Sequence, residues 1–426
     1  MDEVYKTISA CRFCGSKELE PILNIGDQYA VNFVDDDTKE QPRSPLELVL
    51  CDKNKGGCGL LQLKHTFSQS VMYKQYWYRS GVNKTMTDEL RSIAEKAESL
   101  IDLASGDFVI DIGSNDSTLL RSYTKQGIKR VGFEPAKNLM PYAEPGVNKV
   151  INDFFNYKNW QDNFGEAKAK IITAIAMFYD LEDPNSFVAD VAKCLDGEGV
   201  FIVQQNYLPY MLERNVIDNV SHEHLSYYSL TTFKNVLERH GFEIFDVELN
   251  DVNGGSMRTY ARRKGAGKTI KSPAEGIKRV ENILLDEEKK GLNDKKTYED
   301  FAARANTIKE NLYDFIKKEV SAGKKVYVYG ASTRGNSLLQ FCGLDHSLIT
   351  AAAERNSDKW NKKTVGTLIP IISEEQARNE NPDYFLILPW QFLKEFILRE
   401  ADFLKKGGKF IVPLPQFKVI DASYLQ

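Results

Sequence analysis

Basic excess, long apolar runs and abundant cysteine are all missing from this sequence. Lys and Arg number 56 against 60 Asp and Glu, a net charge of −4 over 426 residues, so the composition offers no cationic surface of the kind a phosphate backbone requires. Nucleic acid is therefore not an expected partner. No apolar segment approaches the roughly 18 residues of a membrane span, and the opening MDEVYKTISACRFCG has no cationic stretch leading into an apolar run. The expectation is a cytoplasmic protein with no membrane partner, acting as a monomer or weak homo-oligomer. Six cysteines are too few to staple a chain of this length. Histidine is scarcer still, at five, which makes any cluster of it informative.

The remaining composition, 42% hydrophobic and 27% charged, is ordinary globular usage, and the length allows two or three domains. Residues 1–66 read as short strands and turns around four of the cysteines. Residues 67–263 begin irregular and aromatic and then turn helical, with Leu90, Ile93, Ala94, Ala97, Leu100 and Ile101 at helical spacing. Strands and helices then alternate from FVIDIG through GVFIVQQ, a pattern of parallel βαβ units in a doubly wound sheet, with candidate antiparallel strands at its end. Residues 264–426 open with a charged helical connector (Ile277, Val280, Ile283, Leu284; then Phe301, Ala305, Ile308, Leu312, Ile316) and start a second alternation at KKVYVYGASTRGN. The fold class is α/β with a small module in front.

Cys11-x2-Cys14 and Cys51-x6-Cys58 fit four soft ligands around a structural zinc ion, with the polar, Gly-rich insertion of residues 52–57 looping out. Buried free thiols are the plain alternative. Asp111, Gly113, Ser114, Asn115 and Asp116 form a strand-turn-helix at which backbone can approach a ligand, and Glu134 ends the next strand, where a carboxylate can accept hydrogen bonds from a ribose diol. The loop is not a G-x-G-x-x-G phosphate cradle, because Asn115 and Asp116 crowd it with an amide and a carboxylate. S-adenosylmethionine, cationic and free of phosphate, suits it better than a dinucleotide. Asp153 and Phe154 after the third strand could meet the adenine, or could be a helix cap and a core ring.

His222-Glu223-His224 follows the strand GVFIVQQ, at the sheet edge where catalytic loops collect, and His with Glu can move protons near neutral pH. Its spacing is not that of a zinc-protease helix. Asn253 and Arg258 flank paired glycines that read either as a hairpin turn or as a grip on substrate oxygens. Arg334, at a second strand-glycine-helix turn, is a candidate anion ligand.

Together CRFCG with CGLLQL, YWYRSGVNKTM, VIDIGSNDSTLL, GFEPA, SHEHLSYYSL, NGGSMR, YGASTRGNSLLQFCG and LPWQF resemble the sugar C-methyltransferases of deoxysugar pathways. That family joins an N-terminal zinc module, a central class I methyltransferase and a C-terminal Rossmann-like domain. The resemblance implies methyl transfer from S-adenosylmethionine to a carbon beside the ketone of a nucleotide-linked sugar, with His224 as base, Glu223 orienting it, and Tyr76, or failing it Tyr78, donating to a sugar oxygen. Two positions depart from the family: Ser221 stands where a tyrosine is usual and Asp180 where a histidine is usual. Both bear on the enolate oxygen, so methylation at another carbon or at a hydroxyl stays open. An NAD-dependent oxidoreductase or epimerase and a non-catalytic nucleotide-sugar binder are the other classes to separate.

Overall fold

A computed structural model describes residues 4–30, 33–34, 42–68, 72–73, 76 and 78–425. In the N-terminal module, strands Leu19–Tyr29, Arg43–Cys51 and Leu61–Leu63 pair antiparallel. Alternation places Leu46, Leu48 and Leu50 on one face with Leu23, Ile25, Leu61 and Leu63. A fourth strand, Ser226–Tyr227, comes from the central domain: Ser226 pairs with Gln62 and Tyr227 with Leu61. The histidine-bearing loop is thus stitched into the cysteine module.

The central sheet has seven strands in the order Phe242–Asn250, Ser256–Arg263, Leu195–Asn206, Ala169–Ile175, Phe108–Ile112, Lys129–Phe133, Lys149–Ile151. The last five pair in parallel, and Ser256–Arg263 runs antiparallel to both of its neighbours. This is the class I methyltransferase arrangement, and the parallel strands leave their carboxyl ends along one edge. The leading helix, Lys84–Leu100, contains no Gly or Pro, is N-capped by the Asn83 side chain, and buries the apolar stripe that its spacing predicts.

The connector is two helices, Gly276–Lys289 and Lys295–Ser321. The second buries Phe301, Ala305, Ile308, Leu312 and Ile316 as expected, but Ile277 in the first faces solvent. Six strands form the C-terminal sheet, in the order Ile371–Ser373, Ala352–Glu354, Val326–Tyr329, Tyr384–Ile387, Lys409–Val412, Lys418–Ile420; all pairs are parallel except the last. Among the described residues no helix is long and apolar enough to cross a membrane.

Candidate active site

The four cysteine sulfurs of the N-terminal module lie within 4.8 Å of one another. Cys11 and Cys58 are 3.6 Å apart and Cys14 and Cys51 3.5 Å apart, close to the ~3.8 Å edge of a tetrahedron with 2.3 Å zinc–sulfur bonds. Gln62 Nε2 donates to Cys11 Sγ at 3.2 Å and the Cys58 amide to Cys51 Sγ at 3.3 Å, contacts that stabilise thiolate charge. The neighbouring thiols, as hydrogen-bond donors, hold the Cys11 thiol far below its ordinary range. Gly57 is required by packing, since a Cβ there would sit 2.7 Å from Cys51 Sγ. The donor set is that of a structural zinc site, with every tetrahedral position supplied by protein.

At the edge of the central sheet, Gly113 has φ +70°, and a Cβ on it would come 3.2 Å from Met177 Cγ. Glu134 accepts from the Asn115 amide at 2.9 Å and the Ala136 amide at 2.8 Å, which places its carboxylate at the mouth of the loop. Burial pushes it up to about 7. The bare glycine and this carboxylate fit a ribose and its amino-acid arm. Asp111 lies beneath the loop, its Oδ1 accepting from Thr173 Oγ1 at 2.6 Å, and burial raises it to about 7 as well. Ser114 is buried, its hydroxyl filling the space above Gly132.

Asn115 and Asp116 are engaged by protein. Asn115 accepts from the Ser80 amide at 3.0 Å and donates to the Tyr78 carbonyl at 3.0 Å; Asp116 accepts from the Gly81 amide at 2.8 Å. The acidic loop therefore anchors the aromatic segment that runs over it. Asn138 anchors the same segment one strand further along, exchanging two hydrogen bonds with the Tyr76 backbone at 3.0 and 2.9 Å. Asp153 accepts from the Phe154 amide and from Asn159, and the Phe154 ring, 42% exposed, meets Tyr73 edge-on at 6.1 Å.

The Phe178–Asp180 turn, after the strand Ala169–Ile175, brings Asp180 toward Tyr73 and Glu223. Burial, with Glu223 opposite, holds Asp180 well above the carboxylate range; burial raises Glu223 to about 7. Tyr76 is raised by the Glu223 charge and by burial. His224 is 7% exposed, with its Nδ1 2.7 Å from the Asn219 carbonyl and its ring against Tyr179 at 4.5 Å. A carbonyl can only accept, so Nδ1 carries the proton and Nε2 keeps a free lone pair in the neutral ring. Burial lowers His224 to about 4, and Arg334 adds to that. Tyr73, Tyr76, Asp180 and Glu223 are thus one group, and His224 meets it through Tyr179, which lies against the His224 ring and feels the Asp180 and Glu223 charges. Tyr73 was not singled out in the sequence; its spacing of three from Tyr76 is the signal that could have marked it.

Three expected site residues stand elsewhere. His222 turns its ring away, Nε2 3.3 Å from the Ser44 carbonyl and 5.4 Å edge-on to Phe67, and so packs the cysteine module against the loop. Tyr78 is 44% exposed beside Asp116, away from the Glu223 group. Arg258 is 6% exposed within the sheet, bonded to Glu89 at 2.6 Å and Gln204 at 2.7 Å. It serves structure, because alternation along the strand turns it toward helix Lys84–Leu100 rather than to the open edge. The glycines beside Asn253 are a hairpin turn: a Cβ on Gly255 would lie 2.6 Å from Tyr210. Asn253 offers its carbonyl to Arg334 Nη1 at 2.9 Å, and Arg334 pairs with Asp218 at 2.8 Å. The anion expected for Arg334 is here a carboxylate of the same chain.

Three family models cover most of the sequence: "Putative zinc binding domain" over residues 11–73, "Methyltransferase domain" over 78–247 and "C-methyltransferase C-terminal domain" over 251–415. The C-methyltransferase NovU of Streptomyces niveus is 31% identical over 427 aligned residues, 99% of each chain. Solved structures are more distant. Magnesium protoporphyrin IX methyltransferase (ChlM) from Synechocystis PCC 6803 with bound SAM shares 13% identity over 42% of this chain and 79% of its own, with a TM-score of 0.31. An S-adenosylmethionine-dependent methyltransferase from Clostridium acetobutylicum ATCC 824 shares 13% over 42% and 91%, with a TM-score of 0.32.

Proposed function

The chain belongs to the C-methyltransferase family that includes NovU and is an S-adenosylmethionine-dependent methyltransferase, and from that premise we propose that it methylates a carbon beside the ketone of a nucleotide-linked deoxysugar with His224 as the base. The observation that carries this reading is the His224 hydrogen bond to the Asn219 carbonyl, which leaves Nε2 as a buried, neutral proton acceptor on a ring packed against Tyr179, the tyrosine that the Asp180 and Glu223 carboxyls also reach.

S-adenosylmethionine, when bound, supplies an electrophilic methyl group on its sulfonium. Gly113 and Glu134 would hold it at the sheet edge, with Asp153 and Phe154 at the adenine end. His224 Nε2 takes the proton from the carbon next to the ketone, and the electron pair of that C–H bond becomes the enolate that forms the new carbon–carbon bond. Asp180, kept protonated by burial and by Glu223, can donate to the oxygen on which negative charge grows, and the Tyr73 and Tyr76 hydroxyls can share that task. A neutral carboxylic acid here does the work that a histidine at this position would do. Glu223, next to His224, balances the imidazolium formed.

Incubation with labelled donor and a panel of nucleotide-linked 4-keto and 4-hydroxy sugars, with the product located by NMR, tests the reading. A new carbon–methyl bond adjacent to the ketone is expected. Methylation of a 4-hydroxy sugar at oxygen would replace the reading with an O-methyltransferase.

A further inference from the structure

The loop that carries His224 is built on the central sheet, yet the C-terminal domain grips it at three points. Arg334, in the first turn of helix Thr333–Cys342, sets Nη2 2.8 Å from Asp218 Oδ2 and donates through Nη1 to the Asn253 carbonyl at 2.9 Å. Trp390 donates its indole N–H to the same Asp218 oxygen at 3.3 Å. Asn215 donates to the Pro415 carbonyl at 3.0 Å, while Arg304 of the long connector helix donates to Asn215 Oδ1 at 2.7 Å and to the Leu212 carbonyl at 2.6 Å. Asp218 is 3% exposed. Its chain neighbour is Asn219, the residue whose carbonyl meets His224 Nδ1 at 2.7 Å.

We propose that Arg334 is a positioning residue for methyl transfer: by pinning Asp218 it holds the Asn219 carbonyl in place, which fixes His224 in its Nδ1–H tautomer, so that the C-terminal domain sets the base of a site built on another sheet. The inference rests on His224 being that base. Its physical content is a short lever. A guanidinium held by an ion pair to Asp218 at one nitrogen and by the Asn253 carbonyl at another has little freedom to move, the turn Ile217–Asn219 is a single 3-10 turn, and a ring whose Nδ1–H loses its acceptor can exchange tautomers and present a proton where the lone pair is needed. The base is therefore competent only when the two domains are docked.

The groups facing the His224 ring are Tyr179, edge-on at 4.5 Å; Tyr227, whose hydroxyl donates to the same Asn219 carbonyl at 3.3 Å; Glu223, next in the chain; and the Arg334–Asp218 pair. The Arg334 charge disfavours the imidazolium, so its removal has a signed effect: the ring titrates at higher pH.

The test uses the full chain labelled with 15N-histidine, the His224 signals being assigned by their loss in His224→Asn. The unaltered protein is expected to show a neutral Nδ1–H ring that titrates well below the ordinary histidine value. Arg334→Gln should give a mixture of tautomers, an upward shift in titration and a kcat lower by about 10- to 100-fold, the size of loss that follows small misplacement of a reacting group. KM for S-adenosylmethionine should not change. Arg334→Lys keeps the charge without the fork, so it should retain the low titration but not the single tautomer. Asp218→Asn should lose the single tautomer as well. The proposal is overturned if Arg334→Gln and Asp218→Asn keep one Nδ1–H tautomer with unchanged titration, whatever their melting temperatures. Should Arg334→Gln fold poorly, Arg334→Lys and Asp218→Asn decide by the same signal: a mixture of tautomers in both supports the proposal, and a single Nδ1–H tautomer in both overturns it. Failure of the base assignment is separately visible: His224→Asn would then keep full transfer while the ring signals still respond to Arg334.

Discussion

Arg258→Leu separates a structural guanidinium from a substrate ligand. Arg258 bonds Glu89 at 2.6 Å, Ser92 at 3.2 Å and Gln204 at 2.7 Å, tying helix Lys84–Leu100 to strands Ser256–Arg263 and Leu195–Asn206. Removing one member of a buried pair strands the other charge, at a cost of about 3–5 kcal/mol. The Glu89 side chain keeps 16% of its exposure and so can recover some water, which puts the loss near the low end, about 3 kcal/mol. Against a typical stability of roughly 5–15 kcal/mol, that is a large fraction. Urea unfolding should therefore show an earlier transition for the central domain, and the double change Arg258→Leu with Glu89→Leu should restore part of it. Below the transition, kcat and both KM values should stay within about twofold. An unchanged transition, combined with a KM for the sugar raised tenfold or more, would refute the structural assignment and return Arg258 to the substrate.

His224→Asn should retain affinity for S-adenosylmethionine, because Gly113 and Glu134 are untouched, while methyl transfer falls by ~100-fold or more; calorimetry and a labelled-methyl assay read the two quantities. The base must be neutral, and His224 sits at about 4, so the acid limb of kcat/KM should lie well below the ordinary histidine value. The donor carboxyl, Asp180, must be protonated, and burial with the Glu223 charge holds it well above the carboxylate range, so the rate should not fall as pH rises through the ordinary carboxylate range and should decline only at higher pH; a decline at the ordinary carboxylate value would contradict this. Zinc removal should unfold the N-terminal module and also slow transfer, because Ser226–Tyr227 pairs with the strand Leu61–Leu63. Chelation followed by circular dichroism and activity measures both, and full activity in zinc-free protein would be the contrary result. Gly57→Ala should lower zinc occupancy in metal analysis, since its Cβ would sit 2.7 Å from Cys51 Sγ.

Local patterns were readable from sequence wherever one element decides the outcome. Four cysteines with knuckle spacing, the apolar stripe of Lys84–Leu100 and the strand-helix alternation each follow from spacing alone, and each has its counterpart in the structure. The short strands Ile371–Ser373 and Lys418–Ile420 were not legible, because three-residue strands carry almost no periodicity. Direction of side chains was the larger gap. His222 and His224 are two residues apart, yet one packs against Ser44 and Phe67 and the other against Tyr179. Which of them packs against the cysteine module depends on the pairing of Ser226–Tyr227 with a strand some 160 residues earlier in the chain. Arg258 and Arg334 were equally ambiguous, since an arginine beside a glycine turn fits a phosphate, a carboxylate of substrate or a carboxylate of the same chain. Only tertiary placement, Glu89 for one and Asp218 for the other, decides.

Carbon methylation through deprotonation by His224 is most directly exposed by solvent exchange. The protein is mixed in deuterium oxide with a nucleotide-linked 4-keto sugar and S-adenosylhomocysteine, which cannot give a methyl group, and the proton beside the ketone is followed by NMR. Deuterium should enter that position in the unaltered protein and fail to enter it with His224→Asn. Equal exchange in both proteins, or none in the unaltered protein while a 4-hydroxy sugar is methylated at oxygen, would contradict carbon chemistry with His224 as its base.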